Sequence, residues 1–270
     1  MISRVIFTDM DGSLLDHHDY HHHEADALLD ELEVKHIPVI LVSSKTRAEL
    51  LHWRKELNNH HPFIIENGAA VIMPAGYFQQ QPEAVTLQDE YWVRSFTEPR
   101  QRWLDLIAAL APDYAGDFNQ FAKMDLDTIM ALTGLAPDMA RLAAQREYGE
   151  PVHWTGSTDK QQAFIQALVK EGASVLQGGR FLHVSGKCDK GEAVRWLQEQ
   201  YVINQDGQKP VSLAIGDSQN DESMLAQADD SLVIRSPVHD GSVFRHLDVT
   251  MYSKKMGPAG WNEGVRQWLQ

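Results

Sequence analysis

Five short runs of mostly β-branched apolar residues, each closed by polar residues or glycine, constrain this chain more than any other feature. They are Val5-Ile6-Phe7, Val39-Ile40-Leu41-Val42, Phe63-Ile64-Ile65, Val211 to Ile215 and Leu232-Val233-Ile234. Runs this short and this apolar read as strands buried on both faces. Helical patterns separate them, over Glu24 to Glu33, Arg47 to Leu57, Lys190 to Tyr201 and Ser223 to Ala228. Strands alternating with helices imply a parallel sheet with right-handed crossovers, that is, a doubly wound, Rossmann-like α/β core.

The middle of the chain breaks this rhythm. Pro74 to Glu90 is rich in Pro and Gln, and Pro99 to Tyr148 is dominated by amphipathic stretches such as Trp103 to Leu110 and Met139 to Arg146. Val152-His153-Trp154, a helical pattern from Thr158 to Lys170, and Ser174 to Val184 with a Gly178-Gly179 turn complete an α+β insertion. The expected division is a core of residues 1–85 and 186–270 with an inserted α+β domain of residues 86–185.

The formal net charge of -14 argues against general attraction to nucleic acid or an anionic membrane, so an anionic ligand must be held by local cations. Cys188 is the single cysteine, which rules out an internal disulfide and suits a reducing compartment, the cytoplasm. The apolar run before Asp9 is too short for a signal-peptide core or a membrane span.

Asp9-Met10-Asp11-Gly12-Ser13 follows the first strand directly, and Gly216-Asp217-Ser218-Gln219-Asn220-Asp221 follows the strand ending at Ile215. In an open parallel sheet, ligands bind at the carboxyl ends of the strands, so the two acidic segments can meet there. Oxygen ligands without His or Cys suit a hard ion such as magnesium. One Asp-x-Asp-Gly segment alone is an ordinary turn. Two such clusters, with Ser43 ending a third strand and Lys190 opening a helix, form a far more specific combination.

These segments resemble the four motifs of the haloacid dehalogenase-like hydrolases, in that superfamily's order: Asp9-x-Asp11-Gly12-Ser13, Ser43, Lys190 and Gly216-Asp217-x-x-Asn220-Asp221. Glu66-Asn67-Gly68-Ala69 and the large insertion resemble its sugar-phosphatase branch, which carries an α+β cap. Val42 to Arg47, Thr133-Gly134-Leu135, Arg146-Glu147, Glu150-Pro151, Gly178 to Phe181 with His183, and Gly257-Pro258 with Gly260-Trp261 are similar to mannosyl-3-phosphoglycerate phosphatases.

The resemblance implies a phosphatase working through an aspartyl-phosphate on Asp9. Magnesium would be held by the side chains of Asp9 and Asp217 and the backbone carbonyl of Asp11, with Asn220 and Asp221 in its outer shell or orienting Lys190. It makes Asp11 the general acid/base, Ser43 a donor to the phosphoryl group and Lys190 a screening cation. Ser13 stands where the superfamily more often has Thr and keeps the hydroxyl. The expected substrate is a small-molecule sugar phosphate, most specifically 2-O-mannosyl-3-phosphoglycerate, with a glucosyl analogue or another sugar phosphate as the alternative. A phosphosugar mutase would isomerise without net phosphate release, and a receiver-like binding module would need no insertion.

Such a substrate carries a carboxylate as well as a phosphate, and Lys45, Arg47 and Arg180 are the candidate cations. Arg180 can grip a carboxylate with two parallel hydrogen bonds beside the backbone of Gly178 and Gly179, or it can be an exposed residue beside a hairpin turn. Lys45 and Arg47 follow the Ser43 strand, where Arg47 also suits the first turn of a helix. Asn67 can bind a sugar or phosphate oxygen, or serve a turn. His17, His18, His21, His22 and His23 are expected in a solvated turn, and Cys188 is expected to be structural.

Overall fold

The computed structural model describes residues 2–178, 180–237 and 242–270, which divide into two compact units. Unit 1 comprises residues 1–44, 53–95 and 189–270, and unit 2 comprises residues 45–52 and 96–188.

The strands are β1 (Arg4–Thr8), β2 (Val39–Val42), β3 (Phe63–Ile65), β4 (Ala70–Pro74), β5 (Thr86–Gln88), β6 (Tyr91–Ser95), β7 (Phe118–Gln120), β8 (Glu150–Trp154), β9 (Ser174–Gly178), β10 (Phe181–Ser185), β11 (Val211–Gly216), β12 (Asp230–Arg235) and β13 (Met251–Met256). The helices are α1 (His23–Val34), α2 (Arg47–Glu56), α3 (Arg100–Leu110), α4 (Leu126–Thr133), α5 (Pro137–Ala143), α6 (Thr158–Lys170), α7 (Lys190–Ile203), α8 (Glu222–Leu225) and α9 (Gly257–Trp268). Among the described residues no helix is long and apolar enough to cross a membrane.

Unit 1 is built on a sheet ordered β13-β12-β11-β1-β2-β3-β4-β6-β5. The five apolar runs all form strands of its parallel part, and Val5 to Phe7, Ile40 to Val42 and Phe63 to Ile65 are completely buried. From β1 the chain winds one way through β2 and β3 and later the other way through β11, β12 and β13. The switch point therefore lies between β1 and β11, whose register pairs Thr8 with Ile215. Helix α1 packs on α9, and α7 packs on α8. The edge strand β13 keeps Lys254 and Lys255 exposed, and charges there discourage edge-to-edge pairing.

The parallel sheet expected from the sequence is extended by three antiparallel strands, because the turn after β3 is too short for a crossover and returns the chain as a hairpin. This also moves a boundary. Strands β5 and β6, placed by sequence at the start of the insertion, join this sheet, β6 pairing with β4 and β5 with β6, and unit 2 resumes at Phe96 rather than residue 86. At its other end it runs to Cys188, past the expected 185, and it takes in residues 45–52. The helix expected over Met139 to Arg146 lies over Pro137–Ala143, with Pro at its first position.

Unit 2 carries an antiparallel sheet ordered β7-β8-β10-β9. Val152, Leu182 and Val184 pack with Trp103, Ile107, Phe164 and Leu168 from α3 and α6. Phe121, Ile129 and Ala140 form a second cluster, joined by Phe181, under α4 and α5. The rings of Phe118 and Phe164 stack at 5.1 Å. Glu150 is fully buried; it accepts from Arg100 Nε at 2.6 Å and from the Ala122 N–H at 2.8 Å.

Candidate active site

The switch point places Asp9 and Asp217 at adjacent strand ends, and the Asp9 N–H donates to the Ile215 carbonyl at 2.8 Å. Behind Asp9, the Trp261 indole N–H donates to Thr8 Oγ1 at 3.0 Å, and the Thr8 hydroxyl donates to the Asp9 carbonyl at 2.8 Å. The end of β1 is thus pinned from α9. Gly12 has φ +84°, and a Cβ there would come within 2.5 Å of Asp217 Oδ2, so glycine is what lets the first acidic loop close on the second.

Lys190 is the first residue of α7, whose N-cap Asp189 accepts from the Glu192 N–H at 2.9 Å. A cation is disfavoured at a helix N-terminus by the dipole and disfavoured again by burial, and Lys190 is only 1% exposed. Two carboxylates offset both costs: its ammonium donates to Asp9 Oδ1 and to Asp221 Oδ1, each at 2.6 Å. The other oxygen of Asp221 accepts from the backbone N–H groups of Asp217 and Ser218, each at 3.0 Å. Asp221 therefore spans Lys190 and the β11 loop, the orienting role open to it from sequence.

Burial is the largest influence on Asp9, Asp217 and Lys190. It pushes Asp9 up to about 7, with Lys190 opposing and Asp221 and Asp11 adding like-charge repulsion. It pushes Asp217 up to about 8, helped by repulsion from Asp9 and Asp221. Burial pulls Lys190 down, but Asp221 and Asp9 together outweigh it and hold the ammonium above its ordinary value. Asp9, Asp217 and Asp221 are buried and offer oxygens that all lie within 4.8 Å of one another. The crowding raises the cost of keeping Asp9 and Asp217 ionised, and a divalent cation would offset that cost. An oxygen-only donor set fits a hard cation.

The other predicted residues of unit 1 gather at the same strand ends. Ser43 is buried after β2, and its carbonyl accepts from the Asn67 N–H at 2.9 Å. Asn67 adopts φ +60°, a left-handed conformation that Asn tolerates, and its Oδ1 accepts from Asn220 Nδ2 at 3.1 Å. Asn220 is exposed, and Asp11 is half-buried. The sequence reading missed what Gly68 does: a Cβ there would come within 2.1 Å of the Asp189 carbonyl, so glycine permits the β3 loop to lie against the start of α7. It missed the Trp261–Thr8 link as well, for which the buried hydroxyl beside Asp9 was the only local clue.

Lys45, Arg47 and Arg180 belong to unit 2. Lys45 is buried, and Arg47 pairs with Glu147 at 2.8 Å. Arg180 is exposed but donates to the Leu132 carbonyl at 2.6 Å, so it meets the C-terminal turn of α4, where a cation is favourable. Gly178 ends β9, and Gly179 lies outside the described residues. His17 and His18 are exposed as expected, whereas the side chain of His22 is only 19% exposed and its ring stands edge-on to Trp53.

Residues 6–85 match the haloacid dehalogenase-like hydrolase family and residues 152–268 match the sucrose-6F-phosphate phosphohydrolase family. The chain belongs to the haloacid dehalogenase-like hydrolases, in their sugar-phosphatase branch. Among individual proteins it is 34% identical to a glucosyl-3-phosphoglycerate/mannosyl-3-phosphoglycerate phosphatase of Methanococcoides burtonii, over 98% of this chain and 96% of the relative. A protein of the same description from Persephonella marina is 33% identical, over 97% and 95%. The fold is shared with a Thermotoga maritima protein (TM-score 0.69, 17% identity, 99% of this chain and 97% of that one). It is shared too with a subclass IIB sugar phosphatase of the superfamily (TM-score 0.65, 14% identity, 98% of each chain).

Proposed function

We propose that this chain is a magnesium-dependent phosphatase that hydrolyses the phosphate monoester of 2-O-mannosyl-3-phosphoglycerate or its glucosyl analogue through an aspartyl-phosphate on Asp9. The observation that carries the reading is the buried cluster of Asp9, Asp217 and Asp221 around the Lys190 ammonium, at the ends of the two strands that flank the switch point. The names of the two curated relatives support the substrate.

Asp9 attacks phosphorus with one carboxylate oxygen, and the bond from phosphorus to the ester oxygen breaks. Asp11 gives its proton to the departing alkoxide, then takes one from the water that attacks phosphorus and releases Asp9 and phosphate. Lys190, held by Asp221, keeps positive charge between nucleophile and phosphoryl group, and Ser43 donates to a phosphoryl oxygen. Asp9, Asp217 and the Asp11 carbonyl would hold magnesium, which supplies charge against the phosphoryl oxygens when bound. Asn220 and Asn67 brace the neighbouring loops through their mutual hydrogen bond. Selectivity for the acid group is assigned to Lys45, Arg47 and Arg180 on the sequence argument, and cytoplasmic residence on the cysteine usage.

Phosphate release from a panel of sugar phosphates, with and without magnesium, tests the reading alongside Asp9→Asn. The expected result is highest kcat/KM on the phosphoglycerate glycosides, dependence on magnesium, and loss of turnover in a folded Asp9→Asn variant. Full activity in that variant would remove Asp9 from the chemistry.

A further inference from the structure

The segment from the first acidic loop into the first residue of α1 holds five histidines in seven residues, and the phosphatase reading uses none of them. At the start of α1, His22, His23 and Asp26 each offer a donor atom, and these atoms lie within 4.8 Å of one another. The spacing explains the meeting, since side chains three and four apart share a helix face. Asp26 uses both oxygens: Oδ1 lies 2.5 Å from His22 Nδ1 and Oδ2 lies 3.5 Å from His23 Nδ1. The two imidazole rings are 5.5 Å apart.

We propose that His22, His23 and Asp26 form a binding site for a zinc-class divalent transition-metal ion, separate in chemistry from the oxygen-only cluster of Asp9, Asp217 and Asp221. Two neutral imidazoles and a carboxylate are the donor set that borderline metals select, whereas magnesium selects oxygen alone. Bond lengths of about 2.0–2.1 Å to a tetrahedral ion set neighbouring donors roughly 3.3 Å apart, so the separations of Asp26 from the two rings need only sub-ångström adjustment. One ligand is also held in advance. The His22 ring packs edge-on against Trp53, 6.5 Å between centroids at 88°, so its rotamer is fixed from outside the cluster. His23 is 80% exposed and gives the ion a path from solvent. Asp16, Asp19 and His21 form a neighbouring group with a single imidazole, a poorer match to the same metals.

The test uses the untagged full-length chain, stripped of transition metals and kept in excess magnesium so that the acidic core cluster is not the site measured. Zinc is titrated by calorimetry, cobalt by its visible absorption, and copper by quenching of tryptophan fluorescence. The expected result is one equivalent of zinc bound with Kd of about 1 µM or tighter, with affinity falling at least about tenfold in His22→Ala, His23→Ala and Asp26→Asn. Asp19→Asn leaves affinity unchanged, and the copper quench shrinks in Trp53→Phe. His23→Ala is the safeguard against misfolding, because that side chain is exposed and its loss leaves magnesium-dependent phosphatase activity intact. Binding weaker than about 100 µM, binding unchanged in His23→Ala, or binding lost in Asp19→Asn instead would overturn the assignment.

Discussion

Replacing Lys190 by methionine keeps the apolar stem and removes the charge that two carboxylates share. In the native protein Lys190 is 1% exposed and its ammonium lies 2.6 Å from both Asp9 and Asp221. Breaking a buried pair of this kind costs about 3–5 kcal/mol, because the remaining charge is left without a partner. With an unfolding entropy of ~2.1 cal/mol/K per residue, over the 270 residues of the chain, that cost lowers Tm by roughly 5–9 °C. The loss must also depend on pH. Asp9 titrates at about 7 in the fold against an ordinary 3.8, so the folded state binds the extra proton, and stability falls as pH rises through that interval. Lys190 opposes this rise, and without it the interval widens upward. The gap between wild type and variant is therefore small near pH 4, where Asp9 is protonated in both, and largest above about 7. Thermal unfolding of both proteins at pH 5 and pH 8, without divalent ions, reads the difference. Turnover should fall at least about 100-fold, the usual cost of one lost electrostatic donor. An equal Tm gap at both pH values would refute the reasoning, since the cost would then not come from buried carboxylate charge.

Three further outcomes are expected. Magnesium affinity, measured by calorimetry, should strengthen as pH rises through the window of about 7 to 8 in which Asp9 and Asp217 lose their protons, and a flat profile would place the ion elsewhere. Glu150→Ala should destabilise unit 2 by about 3–5 kcal/mol, because it leaves Arg100 without its buried partner; limited proteolysis within residues 96–188 reports this, and unchanged resistance would show that the pair contributes little. Arg180→Ala should raise KM about tenfold for a substrate bearing a carboxylate and leave KM for a neutral sugar phosphate unchanged, the cost of one charge-assisted bond. A fall in Tm with both KM values unchanged would instead assign Arg180 to the end of α4 alone.

Much of the fold was legible because its signals are local. The apolar runs at Val5, Val39, Phe63, Val211 and Leu232 can satisfy their backbone groups and bury their side chains only as strands, and Asp9, Ser43 and Asp217 follow three of those strands directly. The extent of α6, Thr158–Lys170, was readable from its periodicity alone. Less of unit 2's border was legible, since whether β5 and β6 extend the sheet from β4 or start a new one is settled by a partner strand and not by their own residues. The same limit applies at the site. Its acidic residues were visible in the chain, but Lys190 and Asp9 are 181 positions apart, and their 2.6 Å contact arises only when α7 and β1 are packed in one unit. The clearances that require Gly12 and Gly68, and the edge-on packing of Trp53 that holds His22, are likewise products of packing. Residue type and periodicity fixed which chemistry the chain could carry; the tertiary structure decided which charges would meet, because a buried carboxylate's pKa depends on neighbours that the linear order does not bring near it.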